Sequence, residues 1–382
     1  MRAAVAEVDL GAIAHNVAVL VDAVAPAALC AVVKADGYGH GAIAVAETAL
    51  AAGATWLAVA LVEEGAVLRK AGIEAPILLL SEPRPDDVDV AVHHGLTLTV
   101  YRRATIEAAA DAAAATGRTV DVHLKVNTGM NRVGAAPSEI VGLARAVDAQ
   151  PGLALAGVWT HCAVADEPGN PFTDVQLDRF DAVCADLDAA GLLPPLRHTG
   201  NSAVAIDHRR GHLDLVRCGI AVYGLPPSPA LAGRIDLRPA MTLRAEVAMV
   251  KRVRAGERIS YGQRHHVVAD TTVATVPIGY ADGVPRRLAS VGGSVLIGGR
   301  RRPIVGVVTM DQLMVDCGDD EVAEGDEVVL IGRQGSEVVL ADDWAVPLGT
   351  IGYEIVCGIG PRVPRLYRRP APDPGPAGTS GP

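Results

Sequence analysis

Apolar runs of strand length recur along the first 230 or so residues. They fall at Leu29–Val33, Thr55–Val59, Pro76–Leu80, Leu96–Val100, Val120–Val126, Leu153–Trp159, Leu196–Thr199 and Leu213–Arg217. Between them lie stretches of helical period: Val45–Leu50, Glu63–Ala71, Asp86–His93, Thr105–Ala115, Pro137–Asp148 and Phe172–Ala190, with a short one near Ser202–Asp207. Pro137-Ser138-Glu139 and Pro171-Phe172-Thr173-Asp174 suit helix N-termini. Eight alternating units predict an α/β fold, a (β/α)8 TIM-type barrel over residues 10–236. An open doubly wound sheet is the competitor, and the count of eight favours the barrel.

After residue 236 the helical period gives way to β-rich runs at Leu243–Val253, Thr271–Ile278, Gly293–Ile297, Pro303–Val308, Leu313–Asp316 and Asp326–Ile331. Gly256-Glu257, Gly292-Gly293 and Gly298-Gly299 are turn candidates. A second, mostly β domain is expected over 237–368. A disordered tail is expected over 369–382, which is rich in Pro, Gly, Ala and Ser.

Composition narrows the function classes. The net charge is −10, which argues against a general nucleic-acid binder, and Arg300-Arg301-Arg302 is too short a run to reverse that. No apolar run reaches the ~18 residues of a membrane span. Residues 1–9 carry an acid at Glu7 and no secretory apolar segment. The six cysteines form no C-x-x-C pair and several sit in apolar runs, so reduced thiols in a cytoplasm are expected. His93-His94 and His265-His266 lack metal-like companions and read as surface or loop residues.

In a barrel, function gathers at the C-terminal ends of the strands. The first run ends in Lys34 and a glycine-rich loop, Ala35-Asp36-Gly37-Tyr38-Gly39-His40-Gly41, before an Ala-rich helix from Ala42. A lysine there is either a surface residue or an amine that holds a carbonyl cofactor covalently. The fifth run leads into Lys125-Val126-Asn127-Thr128-Gly129-Met130-Asn131-Arg132, the sixth into Thr160-His161, the seventh into Asn201-Ser202, and the eighth into Arg217-Cys218-Gly219-Ile220. The loops after strands seven and eight are a common barrel phosphate site, with Ser202 alternatively a plain helix cap. Arg217 reads as a partner for a pyridine nitrogen or as an ion pair with Asp214. A lysine, a phosphate cradle and several cations at one mouth point to pyridoxal 5′-phosphate.

These motifs, together with Ser260-Tyr261-Gly262, Ile278-Gly279-Tyr280-Ala281-Asp282-Gly283, Met310-Asp311-Gln312, Tyr353-Glu354-Ile355 and Gly360-Pro361-Arg362-Val363-Pro364-Arg365, occur in one collinear order across residues 5–368. In that order they resemble the alanine racemase family. The resemblance implies a pyridoxal-phosphate barrel joined to a β domain, with residues 1–9 belonging to the latter. It also implies a head-to-tail homodimer with shared sites, acting on alanine to supply D-alanine for peptidoglycan. Lys34 would hold the cofactor and move the proton of the D-enantiomer, and Tyr261 from the partner that of the L-enantiomer. His161 and Arg217 would tune Tyr261, Arg217 meeting the ring nitrogen. Tyr38, Tyr353, Asn201, Ser202, Gly219 and Ile220 would contact the cofactor, chiefly its phosphate. Arg132 and the Met310 backbone would bind the substrate carboxylate. Lys125, which the family can carry carbamylated, would orient Arg132; Tyr280 and Asp311 would support the site, Tyr280 with Tyr353 narrowing its mouth. The alternatives are a broad-specificity racemase or a decarboxylase of the same fold type. A non-catalytic cofactor carrier, a class without the β domain, is a third.

Overall fold

The computed structural model describes residues 4–369. The tail expected to be disordered, apart from Arg369, lies outside the described residues. Strand β1 (Val5–Asp9) leads directly into helix α1 (Leu10–Val24), whose first turn is capped by the Asp9 carboxylate accepting from Ala12 N–H at 3.0 Å. Helix α1 is absent from the sequence reading, although Leu10, Ile13, Val17, Leu20 and Val24 follow helical spacing and are buried. Asn16 on the same face is fully buried. Its amide donates to the carbonyls of Val222 and Arg238 and its oxygen accepts from Arg238 N–H.

The barrel strands are β2 (Ala28–Val32), β3 (Trp56–Val59), β4 (Ile77–Leu79), β5 (Leu98–Val100), β6 (Val120–Lys125), β7 (Leu153–Trp159), β8 (Leu196–His198) and β9 (Leu215–Cys218). They pair in parallel as two halves, β4-β3-β2-β9 and β5-β6-β7-β8. The halves meet through the Leu78↔Thr97 bridge on one side. On the other, Asp214 N–H and Arg217 N–H donate to Arg197 O and Gly200 O. The sheet is therefore closed, as the count of eight predicted. A single turn α2 (Lys34–Tyr38) follows β2. Helices α3 (Ala42–Ala51), α4 (Val62–Lys70), α5 (Val88–His93), α6 (Arg103–Thr116), α7 (Ile140–Asp148), α8 (Phe172–Ala189) and α9 (Ser202–Asp207) occupy the connections between strands. Ala, Val, Leu and Ile fill most of the core, with Trp159, Tyr223 and Phe180 among the few large buried rings.

The second region holds β10 (Met241–Glu246), β11 (Met249–Val253), β12 (Arg258–Ile259), β13 (His265–His266), β14 (Thr271–Val276), β15 (Ser294–Ile297), β16 (Arg300–Val305), β17 (Leu313–Gly318), β18 (Glu327–Gln334), β19 (Glu337–Val339) and β20 (Arg365–Arg368). The expected single run Leu243–Val253 is two strands. At Val247-Ala248 the chain changes partners, Val247 N–H bonding Asp326 O and Ala248 N–H bonding Thr275 O. Strands β10 and β11 thus diverge toward opposite ends of the order β11-β14-β17-β16-β15-β18-β10-β1-β20. Gly298-Gly299, both at positive φ, make the β15–β16 turn. Helices α10 (Ala341–Leu348) and α11 (Gly352–Gly358) interrupt the β pattern and were not foreseen.

The N-terminal strand sits inside this second sheet. It is antiparallel to β10 and parallel to β20. Glu7, 7% exposed, pairs with Arg244 of β10 and with Arg368 of β20 at 2.5 Å. One buried carboxylate thereby joins three strands.

Candidate active site

Lys34 emerges at the C-terminal end of β2. Ala35, Asp36, Gly37 and Tyr38 behind it are all left-handed, with φ between 51° and 60°. Three of the four carry a Cβ, and each such residue is disfavoured by roughly 1–2 kcal/mol. Two carboxylates hold the turn. Glu64 Oε1 accepts from Ala35 N–H at 2.6 Å, while its Oε2 accepts from Ala60 and Leu61 N–H at 2.8 and 3.1 Å. Asp36 accepts from Ala42 N–H at 2.8 Å and starts α3. The glycines announced a tight loop, but the role of Glu64 depends on α4 lying beside it and was not legible in sequence. Burial and the Arg132 charge lower the Lys34 pKa below the usual lysine value, partly opposed by Glu64.

Tyr38 is buried and its ring lies 4.9 Å from Tyr223 and 6.2 Å from Tyr353. Tyr223 donates its hydroxyl to Val32 O at 2.9 Å, fixing the end of β2. A Cβ at Gly219 would stand 2.4 Å from the Tyr38 oxygen, so a larger residue there would push the Tyr38 ring aside. Asn201, and not Ser202, caps α9: its Oδ1 accepts from Ala203 and Val204 N–H, both at 3.0 Å. Ser202 Oγ is released to accept from Gly219 and Ala221 N–H at 3.0 and 3.4 Å, with Ile220 between them. The loops after β8 and β9 are thus cross-tied at one point.

Arg217 is 3% exposed and stands inside the barrel end. Its Nη1 lies 2.7 Å from His198 Nδ1, and its Nη2 donates to Thr160 O at 2.9 Å and Thr199 O at 3.2 Å and lies 3.4 Å from His161 Nδ1. Its Nε has no hydrogen-bond partner among the described residues. The ion pair with Asp214 that sequence left open is not formed, because Asp214 binds Arg197 at 2.8 Å. Trp159 presents its ring to two cations, Arg217 at 4.5 Å and Lys125 Nζ at 3.9 Å from the centroid. Burial and the charges of Arg217, Arg132 and Lys34 push Lys125 down to about 7. Burial followed by the same cations also holds His161 well below its ordinary value.

Arg132 is exposed on the loop after β6. Asn127 Oδ1 accepts from Gly129 N–H at 3.1 Å and Asn131 N–H at 3.0 Å, and its Nδ2 donates to Asn131 Oδ1. Helix α8 supports this loop: Gln176 donates to Thr128 Oγ1 at 3.1 Å and Arg179 to Thr128 O at 2.8 Å. Neither of these was singled out from sequence, since their meeting with Thr128 is tertiary.

Five predicted site residues lie in the second region, Tyr353 on α11 among them. Tyr261, 74% exposed, stands at the tip of the β12–β13 hairpin, after Ser260 at φ 69°. Among the described residues no hydrogen bond or ring contact links it to Lys34. Met310 and Tyr280 are 52% and 41% exposed. Their loops are laced together by Tyr280 N–H to Thr309 O and Ala281 N–H to Met310 O. Asp311 pairs with Arg362 at 2.6 Å, and Arg362 also reaches the buried Asp282 at 3.3 Å. A cavity of about 770 Å³ lies apart from the Lys34 cluster, lined by the linker after β9 and by β18 and β19.

Two buried histidines set an acid limit on the fold. Burial depresses His40 to about 4 and His123 to about 3. Their folded values lie below the unfolded ~6.5, so the unfolded chain binds more protons between the two. Their contribution to stability is level above pH ~6.5 and falls as pH drops, by about 1.4 kcal/mol per pH unit for each histidine until its folded value is reached. Denaturant midpoints at pH 7.5, 6 and 5 should decline in that order. Equal midpoints would mean that neither imidazole is buried neutral.

The fold and cleft define a (β/α)8-barrel protein with an appended β domain and a cationic mouth. Residues 8–227 match the family model described as alanine racemase, N-terminal domain, and 240–367 the one described as alanine racemase, C-terminal domain. An alanine racemase of Symbiobacterium thermophilum is 49% identical, covering 96% of this chain and 97% of its own. A solved alanine racemase from D-cycloserine-producing Streptomyces lavendulae is 42% identical with a TM-score of 0.92, covering 96% and 97%. One from Bacillus anthracis with bound L-Ala-P is 41% identical with a TM-score of 0.91, covering 97% and 96%. The chain belongs to the alanine racemase family, and so to the isomerases. Among the described residues no helix is long and apolar enough to cross a membrane and no group of metal-ligating side chains is present.

Proposed function

We propose that this chain interconverts L- and D-alanine with pyridoxal 5′-phosphate held at the barrel mouth, in a head-to-tail cytoplasmic homodimer that feeds D-alanine to peptidoglycan. The barrel would occupy residues 10–236 and the β domain 1–9 and 237–368. The observation that carries the reading is electrostatic. Arg132 lowers Lys34, and Arg217, Arg132 and Lys34 together lower Lys125, in a single cleft where Glu64 is the carboxylate acting on Lys34. Such a cluster calls for an anionic occupant.

The residues present fit the cofactor. Arg217 offers an unpartnered Nε at the barrel end, the Ser202 hydroxyl and the Ile220 N–H beside Gly219 offer phosphate donors, and Asn201 holds that helix start. Tyr38 adds a hydroxyl beside Gly219, with the Tyr353 ring 6.2 Å from its own. Once bound, the cofactor supplies a conjugated electron sink that acidifies the substrate Cα–H. Arginine stays protonated, so Arg217 donates to the ring nitrogen without surrendering a proton, limiting the sink.

Lys34 then acts as an amine base on one face of Cα, serving the D-enantiomer. Its lowered pKa raises the neutral fraction that such work requires. Tyr261 of the partner subunit serves the other face, with His161 and Arg217 stabilising its phenolate. Arg132 clamps the substrate carboxylate, assisted by Met310 N–H of the partner subunit. Lys125, without a carboxylate partner among the described residues and held to about 7, has the neutral amine that carbamylation needs, and the resulting anion would orient Arg132. Tyr353 and Tyr280 narrow the mouth to a methyl-sized side chain, while Asp311 braces the Met310 loop through Arg362.

The test follows L-alanine in deuterated water with the purified protein. The expected outcome is a visible chromophore abolished by borohydride, decay of optical rotation to zero, and one deuterium at Cα. L-serine run in parallel should exchange more slowly. Carbon dioxide release, or colour without exchange, would overturn the racemase reading.

A further inference from the structure

Behind Arg217 the barrel interior contains a polar chain with no place in the scheme above. His198 Nδ1 lies 2.7 Å from Arg217 Nη1, and His198 Nε2 lies 2.9 Å from His123 Nδ1. Both imidazoles are fully buried. Their protons can be assigned by elimination. Guanidinium nitrogens only donate, so His198 Nδ1 accepts. A neutral His198 then carries its hydrogen on Nε2 and donates to His123 Nδ1. His123 in turn carries its hydrogen on Nε2. That nitrogen is buried and has no hydrogen-bond partner. The chain is therefore directional, from Arg217 through His198 to His123.

The barrel is shaped around this arrangement. The β6–β7 pairing shifts register between Val122 and His123. Opposite stands Gly157, where a Cβ would come within 2.6 Å of His123 Nδ1. Trp159 stacks on His198 at 5.5 Å with 7° between the planes, and Trp56 closes the far side of His123 at 5.6 Å. An orphaned buried N–H is destabilising, so an apolar residue would serve stability better in this slot.

We propose that His123 is a positioning residue for Arg217. By accepting from His198 it fixes that ring's tautomer, and the fixed Nδ1 lone pair turns the guanidinium so that Nε faces the mouth. Without His123, His198 can place its hydrogen on Nδ1, which sets donor against donor at Arg217. The inference rests on the reading of Arg217 as the cofactor's ring-nitrogen partner.

The experiment is long-range ¹H–¹⁵N correlation on the full-length protein labelled at histidine, with and without pyridoxal 5′-phosphate, assigned by single substitutions. His198 and His123 should both appear neutral with hydrogen on Nε2. An imidazolium, or hydrogen on Nδ1 of His198, overturns the proposal. Two variants extend it. His123→Leu should weaken pyridoxal 5′-phosphate binding roughly tenfold and lower kcat with little change in KM for alanine. His123→Asn, whose Oδ1 accepts from the position of the imidazole Nδ1, should recover most of both. Wild-type binding and turnover in His123→Leu, or no recovery in His123→Asn, rejects a positioning role. A wild-type protein that fails to bind the cofactor overturns the reading of the mouth instead, and the tautomers still decide the chain.

Discussion

Co-expressing a Lys34→Ala chain with a Tyr261→Phe chain is expected to restore racemisation that neither variant retains alone. Tyr261 is 74% exposed on a hairpin of the second region, and among the described residues no hydrogen bond or ring contact joins it to Lys34. Phenylalanine keeps the ring and removes only the hydroxyl. Tyr261→Phe should therefore fold and bind cofactor normally while losing roughly 10²–10⁴ in kcat, the usual contribution of one acid–base group. Lys34→Ala should lose covalent attachment as well as one base. If each cleft combines Lys34 of one copy with Tyr261 of another, every mixed dimer holds one intact cleft and one doubly defective cleft. Random pairing then gives roughly a quarter of wild-type activity. Tagging the two chains differently and purifying the mixed species measures this directly. Absence of recovery would place both bases in one chain, and a Tyr261→Phe variant with wild-type turnover would remove Tyr261 from the mechanism.

Arg217→Leu is expected to destabilise the fold by about 3 kcal/mol, read from the denaturant midpoint of the cofactor-free protein. The guanidinium is buried, and its loss strands His198 Nδ1 and takes a donor from the carbonyls of Thr160 and Thr199. Leucine returns some apolar contact with Trp159 but none of the hydrogen bonds. Part of the loss is offset, since a cation leaves the neighbourhood of Lys125 and His161. Both of these groups should titrate higher in the variant, because Arg217 contributes to lowering each. Arg217→Lys keeps the charge but cannot span three acceptors, and should fall between the two. A loss under about 0.5 kcal/mol would show that Arg217 is not structurally embedded as described.

The strand count, the helices from α3 to α9 and the change of texture after residue 236 were legible because burial on a pleat or a helix imposes periods that survive in sequence. Helix α1 escaped because its outer side also carries Ala and Val, at Ala14, Ala18, Val19, Val21 and Ala23, which contrast weakly with the buried Leu, Ile and Val. The split at Val247-Ala248 escaped because an apolar run does not record which strands it will pair with. Glycine told two different stories. Gly298-Gly299 marked a turn on sight, whereas Gly157 and Gly219 matter only because His123 and Tyr38 arrive against them from remote positions.

The candidate cleft divides along the same line. Lys34, Lys125, Arg132, His161, Ser202 and Arg217 could be proposed from residue type and position alone, because strand ends of a parallel barrel open on one face. Their electrostatic character could not. The depression of Lys125, the neutrality of the buried histidines, the exchange of cap duties between Asn201 and Ser202, and the Glu64 clamp on the left-handed turn all depend on atoms distant in sequence coming within a few ångströms. Local chemistry and periodicity are carried by neighbouring residues and can be read from them. Desolvation and hydrogen-bond direction belong to the packed interior and come into being with it.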